Sequence, residues 1–343
     1  MKLFSGTSNK PLAEKIAQAM NLSVSPIEFF VFPDGEKRIQ IQENVVEEHC
    51  VVVQSTSTPV TENYMELFFI IDGLKRSGAS QVSVVMPYVG YQRQDHVFRD
   101  GEAVSLDVVI RMLESLDVER IIVLDLHSIK IPELFTIPVT QVSALPLFAR
   151  VVQKQIGAGR ENLSVPQFTR SDLKNNQGVQ EANEKNFVSS TSSHETNAIL
   201  VSPDMGGLRR ISKMSELLGG MPWIATVKDR DLETGSIAIT KIEGEHKDMD
   251  LKGKHIFMVD DMISSGKTMA VSAALLKSKG VKHITAFATH PIFSQVAPRL
   301  LQESDIDAVY VTDSVFVPKA KQFAKLHILS TAEMVAKALE DNG

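Results

Sequence analysis

Cysteine is almost absent from this chain: Cys50 is the only one in 343 residues, and it stands in the apolar run Cys50-Val51-Val52-Val53. One thiol excludes an internal disulfide and any thiolate zinc cluster, and its surroundings predict a small core residue. Long apolar runs are absent as well. None approaches the ~20 residues that span a bilayer, and Met1 to Gly6 enters folded-looking sequence at once. No signal peptide and no membrane partner are therefore expected, and the cytoplasm is the expected compartment. Basic charge is not in excess: Lys and Arg total 36 against 42 Asp and Glu, a net charge of −6. That balance argues against a nucleic-acid partner bound over a broad surface, while a local basic cleft can still hold a small polyanion. What remains, 43% hydrophobic and 23% charged residues, is the composition of a globular protein. The length suits two domains better than one core.

A glycine is also missing where it would matter. Ser265-Gly266-Lys267-Thr268 has the look of an ATPase phosphate loop, yet five positions before Gly266 stands Asp261, with Asp260 beside it. Bare backbone amides wrap polyphosphate, and paired carboxylates repel it. The stretch therefore suits a ligand with one phosphate and several hydroxyls, or a metal.

Eight short β-branched runs are present: 50–54, 82–87, 120–125, 198–202, 223–227, 255–260, 284–288 and 308–312. They alternate with segments of helical period, such as Tyr64, Leu67, Phe68, Ile71 and Leu74 closed by Gly78. Strand, helix, strand repeated in this way predicts an α/β chain of parallel sheets covered on both faces, with functional loops at the carboxyl ends of the strands. Two such units are expected, joined near Ser143 to Pro146. From Gly157 to Thr196 the chain is polar and aperiodic, which reads as an insertion in the second unit.

The run His255 to Asp261 ends a strand, Met262 to Gly266 is a turn, and a helix follows. Ser264, Ser265 and Gly266, with the start of that helix at Lys267 and Thr268, offer N–H and hydroxyl donors to one phosphate. Asp260 and Asp261 can accept hydrogen bonds from adjacent sugar hydroxyls. Ribose 5-phosphate satisfies both halves.

Here the chain resembles a known family. The segments 32–41 (FPDGEKRIQI), 54–67, 86–95 (MPYVGYQRQD), 123–128 (VLDLHS), 201–207 (VSPDMGG), 259–268 and 288–294 are similar in type and order to the motifs of the ribose-phosphate pyrophosphokinases, the PRPP synthetases. The resemblance runs from Phe4 to about Pro318 apart from the polar stretch. It implies two tandem phosphoribosyltransferase-like domains, each a mainly parallel sheet flanked by helices: 1–145 on the ATP side, 146–312 on the ribose 5-phosphate side with the insertion at 157–196, and a terminal segment, 313–343, returning to the first domain. It further implies transfer of a pyrophosphoryl group from ATP to ribose 5-phosphate, with Mg2+, in a homo-oligomer built from dimers.

Residue by residue, the resemblance assigns Phe32, Asp34, Gly35 and Glu36 to the adenine side, and Arg93, Gln94 and Asp95 to the rest of the ATP site. Asp260, Asp261, Ser264, Ser265, Gly266, Lys267 and Thr268 fall to ribose 5-phosphate, His127 and Asp204 to the metal, and Lys228 and Arg230 to catalysis on a mobile loop. The alternation Lys228-Asp229-Arg230-Asp231, like residues 99–106, is nearer the archaeal-type members. His96 stands where members often carry a basic residue and Ile129 where many carry an acid. Two other functions stay in view. A silent regulatory subunit would be expected to lose Lys228, Arg230 or the ribose loop. A transferase consuming PRPP would not need the amino-terminal motifs.

Overall fold

The computed structural model describes residues 1–157, 197–230, 237–244 and 246–341, and side chains at 228–230 and 237–240 lie outside that description. Of the polar stretch 157–196, all but Gly157 lies outside the described residues. Each of the eight apolar runs forms a strand. Their unbroken apolar character has a simple cause: a parallel sheet covered on both faces buries successive side chains in either direction.

The first sheet is parallel throughout, in the order β2-β1-β5-β6-β7-β8. Its strands are β1 (Lys2–Ser5), β2 (Val24–Ser25), β5 (His49–Val53), β6 (Gln81–Met86), β7 (Arg120–Leu124) and β8 (Val139–Val142). The second runs β11-β10-β9-β12-β13-β14-β15 and is parallel except between β10 and β11. It comprises β9 (Ala198–Ser202), β10 (Trp223–Arg230), β11 (Ile237–Glu243), β12 (His255–Ile263), β13 (His283–Pro291), β14 (Ala308–Thr312) and β15 (Leu326–Leu329). The hairpin of β3 (Ile27–Val31) and β4 (Lys37–Ile41) pairs with neither.

Helices close each face. On one side of the first sheet α2 (Val60–Arg76) and α3 (Ser105–Glu114) bury Leu67, Ile71, Leu74, Leu106 and Ile110. The helical spacing of α2 is the cause, and Gly78 ends the turn beyond it at φ +93°, a conformation open to glycine without penalty. The other side takes α1 (Lys10–Ala19) and α8 (Ala332–Glu340), with Leu12, Ile16, Val335 and Leu339 packed on Leu3, Val51 and Ile122. On the second sheet, α4 (Leu145–Ile156) and α5 (Leu208–Leu217) cover one face, and α6 (Lys267–Ser278) and α7 (Ala297–Glu303) the other.

Two details differ from what the sequence led us to expect. The strand does not give way to a turn at Met262; β12 continues to Ile263, pairing with β13 as far as Pro291, so the two carboxylates lie within the strand rather than at its end. The tail after Thr312, which the family resemblance placed on the first domain, divides: β15 pairs with β14 in the second sheet, while α8 packs on the first. The units are also tied by side chains. Asn9 Nδ2 donates to the Asp313 carbonyl at 2.7 Å, Lys15 Nζ meets Asp313 Oδ2 at 3.0 Å, Ser55 Oγ donates to the Ser314 carbonyl, and an Arg120 guanidinium nitrogen donates to the Leu339 carbonyl at 3.0 Å. Among the described residues no helix is long and apolar enough to cross a membrane.

Leu339 is fully buried between α1 and the first sheet. Leu339→Ala should therefore cost about 2–5 kcal/mol, the range for a leucine truncated in a packed core. Urea unfolding is expected to show a lower midpoint at unchanged slope; an unchanged midpoint would contradict the docking of α8.

Candidate functional site

The site forms where the carboxyl ends of both sheets approach. Asp260 and Asp261 alternate across β12 and are both withdrawn from water, Asp261 to 5% side-chain exposure. Adjacent buried carboxylates are costly unless cations or donors reach them. Two partners do. Arg210, in the first turn of α5, places a guanidinium nitrogen 3.4 Å from Asp260 Oδ1 and 3.7 Å from Asp261 Oδ1. From the first unit, His127 brings Nδ1 to 2.6 Å from Asp261 Oδ2. The Asp261 backbone N–H also donates to Asp260 Oδ1 at 2.9 Å.

These contacts divide the pair. Burial, reinforced by repulsion from Asp261, pushes the Asp260 carboxyl well above its usual range. Burial acts on Asp261 in the same sense, yet the hydrogen bond from His127 and the charge of Arg210 outweigh it and hold this carboxyl far below that range. Asp261 is thus the ionised acceptor, and His127 Nδ1 must be the donor. That bond, against the counteracting effect of burial, raises the His127 pKa.

His127 is held from behind too. Its backbone N–H donates to Gln92 Oε1 at 2.9 Å. Asp125, at φ +24°, accepts from the Ala144 N–H (2.8 Å) and from Thr289 Oγ1 on β13 (2.7 Å), while its carbonyl lies 3.1 Å from His290 Nε2. His290 is fully buried, which lowers its pKa and keeps the ring neutral. A strained conformation persists only when its surroundings over-determine it, and here both units supply the restraint.

The turn of Ser264 to Gly266 follows β12. Gly266 sits at φ +75°, a conformation that favours glycine, and an added Cβ would crowd the Leu301 side chain at 3.2 Å. The Ser264 carbonyl accepts from the Ser294 N–H at 2.9 Å, and Lys267 and Thr268 open α6 with the amide dipoles that suit an anion. Asp204 follows β9. Its side chain accepts from the Gly206 N–H at 3.0 Å and its charge contributes to the rise at Asp260. A Cβ at Gly207 would stand 2.4 Å from Ser202 Oγ, so this turn needs glycine for close approach.

Arg93 and Gln94 line a cleft of about 420 Å³ that also takes in Tyr88, Tyr91 and, from the second unit, Ile292. Asp95 pairs with His96 at 2.7 Å and acts electrostatically on His127. Phe32, Asp34, Gly35 and Glu36 lie apart, at the turn of the β3–β4 hairpin. Lys228 and Arg230 fall on β10, opposite Ile239 and Ile237; their side chains lie outside the described residues. Arg210, Gln92, Asp125 and Thr289 went unmarked in the sequence. Gln92, Asp125 and Thr289 lay within the segments 86–95, 123–128 and 288–294 without being singled out, and Arg210 lay just beyond 201–207, in the helix start that follows a glycine turn.

Comparison with known proteins gives consistent matches. Residues 1–116 match the family described as the N-terminal domain of ribose phosphate pyrophosphokinase, and residues 243–341 match the phosphoribosyl synthetase-associated domain. The chain is 34% identical over 339 residues to a ribose-phosphate pyrophosphokinase of Thermotoga maritima, covering 99% of this chain and 94% of that one. It is 33% identical over 340 residues to ribose-phosphate pyrophosphokinase 2 of Enterococcus faecalis, covering 99% and 92%. The crystal structure of a phosphoribosylpyrophosphate synthetase from Mycobacterium smegmatis matches with a TM-score of 0.81 at 28% identity, covering 100% of this chain and 99% of that one.

The His127–Asp261 bond has a pH signature. A raised histidine pKa contributes stability that is complete below the ordinary value of 6.5 and is lost as pH rises through the raised value. Without ligand or divalent cation, NMR titration of His127 should give a midpoint above 6.5, and Asp261→Asn should bring it down. A midpoint at or below 6.5 in the unaltered protein would rule out the ionic pairing.

Proposed function

The chain belongs to the ribose-phosphate pyrophosphokinase family, and on that premise we propose how its residues divide the work. The reaction moves the β,γ-pyrophosphoryl group of ATP to the C1 hydroxyl of ribose 5-phosphate, giving PRPP and AMP. The C1 oxygen attacks the β-phosphorus in line with the departing AMP oxygen, so the protein's task is alignment and neutralisation of charge. The carrying observation is the Asp260–Asp261 pair, set near a strand end before the Ser264–Thr268 turn and reached by His127 from the other unit.

In this reading Ser264, Ser265, Gly266, Lys267 and Thr268 take the 5-phosphate through N–H and hydroxyl donors. Asp260 and Asp261 take the sugar hydroxyls, for which a carboxylate is the natural acceptor. Arg93, Gln94 and Asp95 border the polyphosphate and ribose of ATP, with Arg93 free to fork onto phosphate oxygens. Phe32, Asp34, Gly35 and Glu36 take the adenine, by a ring face and by acceptors for its amino group. Lys228 and Arg230 are the catalytic cations, acting on phosphate charge as it shifts in the transition state.

Mg2+ is the proposed cofactor, and His127 and Asp204 are the residues that would hold it. Among the described residues no cluster of three or more acidic, histidine or cysteine side chains forms a ready metal cage. That suits magnesium, which retains waters and binds through few protein ligands plus substrate phosphates. His127 has the orientation such a ligand needs, because Nδ1 donates to a carboxylate and the neutral ring then keeps the lone pair on Nε2. When bound, the ion supplies neutralisation of phosphate charge.

The proposal extends to domains at 1–145 and 146–312 with 313–343 as a returning segment, to a cytoplasmic setting, and to a homo-oligomer built from dimers. Exposed Met65 and Phe69 on α2, and exposed Phe30 and Val31 on the hairpin, support an apolar contact between copies.

AMP release from ATP should require both ribose 5-phosphate and magnesium. Lys228→Ala should lose about two or more orders of magnitude in turnover, by analogy with removal of a preorganised donor to a developing anion, while equilibrium binding of ATP and sugar changes far less. Near-normal turnover, or a loss explained by ATP binding alone, would refute the catalytic role. Asp260→Ala should weaken ribose 5-phosphate binding by calorimetry; unchanged affinity would remove the sugar assignment. Light scattering is expected to find a species larger than the 37.8 kDa protomer, and a lone protomer at working concentration would contradict assembly.

A further inference from the structure

The β3–β4 hairpin carries the residues assigned to adenine, yet nothing in its ladder joins it to either large sheet. Its apolar side, Ile27, Phe29, Ile39 and Ile41, packs on the first core. Toward the turn this anchoring stops: Phe30, Val31 and Phe32 are 42%, 56% and 39% exposed. Within the turn the bonds are local, Phe32 N–H to the Glu36 carbonyl at 2.8 Å, Gly35 N–H to the Phe32 carbonyl at 2.9 Å, and Glu36 N–H to Asp34 Oδ1 at 3.1 Å. They set the shape of the turn and leave its place undetermined.

One interaction sets the place. Lys37 stands opposite Val31, the last ladder pair before the turn, and its Nζ lies 3.1 Å from Glu66 Oε2 on α2. Arg38 pairs with Glu28 at 3.6 Å inside the hairpin; among the described residues, the Lys37–Glu66 contact is the one hydrogen bond or ion pair from residues 31–38 to a residue outside it. Glu66 is rooted in the body of the first unit. Its carboxylate is 1% exposed and accepts from Thr7 N–H (2.6 Å), Thr7 Oγ1 (2.8 Å) and Gln54 Nε2 (3.0 Å). Gln54 Oε1 in turn accepts from Ser8 Oγ at 2.7 Å. Thr7 and Ser8 follow β1 and Gln54 follows β5, so the carboxylate reports the position of the carboxyl edge of the first sheet. With three donors besides Lys37, it stays satisfied when the lysine is removed.

We propose that Lys37, through Glu66, is a positioning residue for the nucleotide, holding the 32–36 turn in register with the carboxyl edge of the first sheet. This rests on the reading of that turn as the adenine side. A charged link of this kind reduces the motion that ATP would otherwise have to arrest on binding.

The test compares Lys37→Met, which keeps the apolar stem, with Lys37→Arg, which restores the charge, and with Phe32→Ala as a probe of the turn. For Lys37→Met the expected result is a KM for ATP raised roughly tenfold, the scale of one charge-assisted hydrogen bond. kcat, the KM for ribose 5-phosphate and the thermal midpoint should stay near their original values, and Lys37→Arg should recover most of the loss. If Phe32→Ala raises the KM for ATP while Lys37→Met does not, the positioning role is overturned and the adenine reading stands. If neither variant moves it, the adenine reading falls and takes this inference with it. A lowered midpoint with kcat and both KM values shifting together would mark Lys37 as merely structural, and overturn it.

Discussion

Two neighbouring carboxylates withdrawn from water on one strand are the constraint around which this molecule is arranged. Asp260 and Asp261 cannot both carry charge there without compensation, and β12 itself offers one backbone N–H but no cation. Arg210 comes from α5 in the same unit and His127 from the end of β7 in the other. The compensation therefore spans the two units, and breaking their approach would strand an ionised Asp261 in a poorly solvating setting. The buried ties at Asp125, Thr289 and His290 keep the distance from His127 to Asp261 short.

The same constraint prepares the site for its ligands. Burial and its neighbour push the Asp260 carboxyl up while His127 and Arg210 hold that of Asp261 down, so two neighbouring hydroxyls would meet two different environments. The turn after β12 offers the reverse chemistry, with N–H and hydroxyl donors at a helix start and no carboxylate beyond Asp261. In the proposed reading, sugar and phosphate are separated along one short segment by the preferences of the groups themselves. The side proposed for the nucleotide is built differently. Its cleft draws Arg93 and Gln94 from the loop after β6 and Ile292 from the second unit, and its outermost part lies on a hairpin outside both sheets. Such an element trades the rigidity of a sheet for reach, and Lys37 with Glu66 limits that trade at the mouth of the turn.

Much of this was legible in the amino-acid order. Eight apolar runs became strands because a doubly covered parallel sheet writes its burial as a continuous run. The Asp260-Asp261 to Thr268 stretch showed its chemistry because carboxylates, small residues and a helix start fall within nine positions. What escaped notice was short or alternating: β1, β4, β8 and β15 carry too few apolar residues in a row to stand out, whereas β3, with Phe29-Phe30-Val31 in a row, was overlooked beside the turn that follows it. The extension of β12 to Ile263 was hidden because the strand continues through polar residues that its partner β13, rather than its own pattern, keeps extended.

Local order thus marked the eight main strands and the residues on which the proposed division between phosphate and sugar chemistry rests, since each depends on neighbours a few residues away. Pairing across long intervals had to wait for the folded chain. His127 and Asp261 are 134 positions apart, Asp125 and Thr289 are 164 apart, and Arg210 reaches Asp260 over 50. Nothing in one segment states which distant group will share its burial, because that is decided only when the packing of two sheets brings their carboxyl ends together and electrostatics in the resulting low-dielectric space selects the partners.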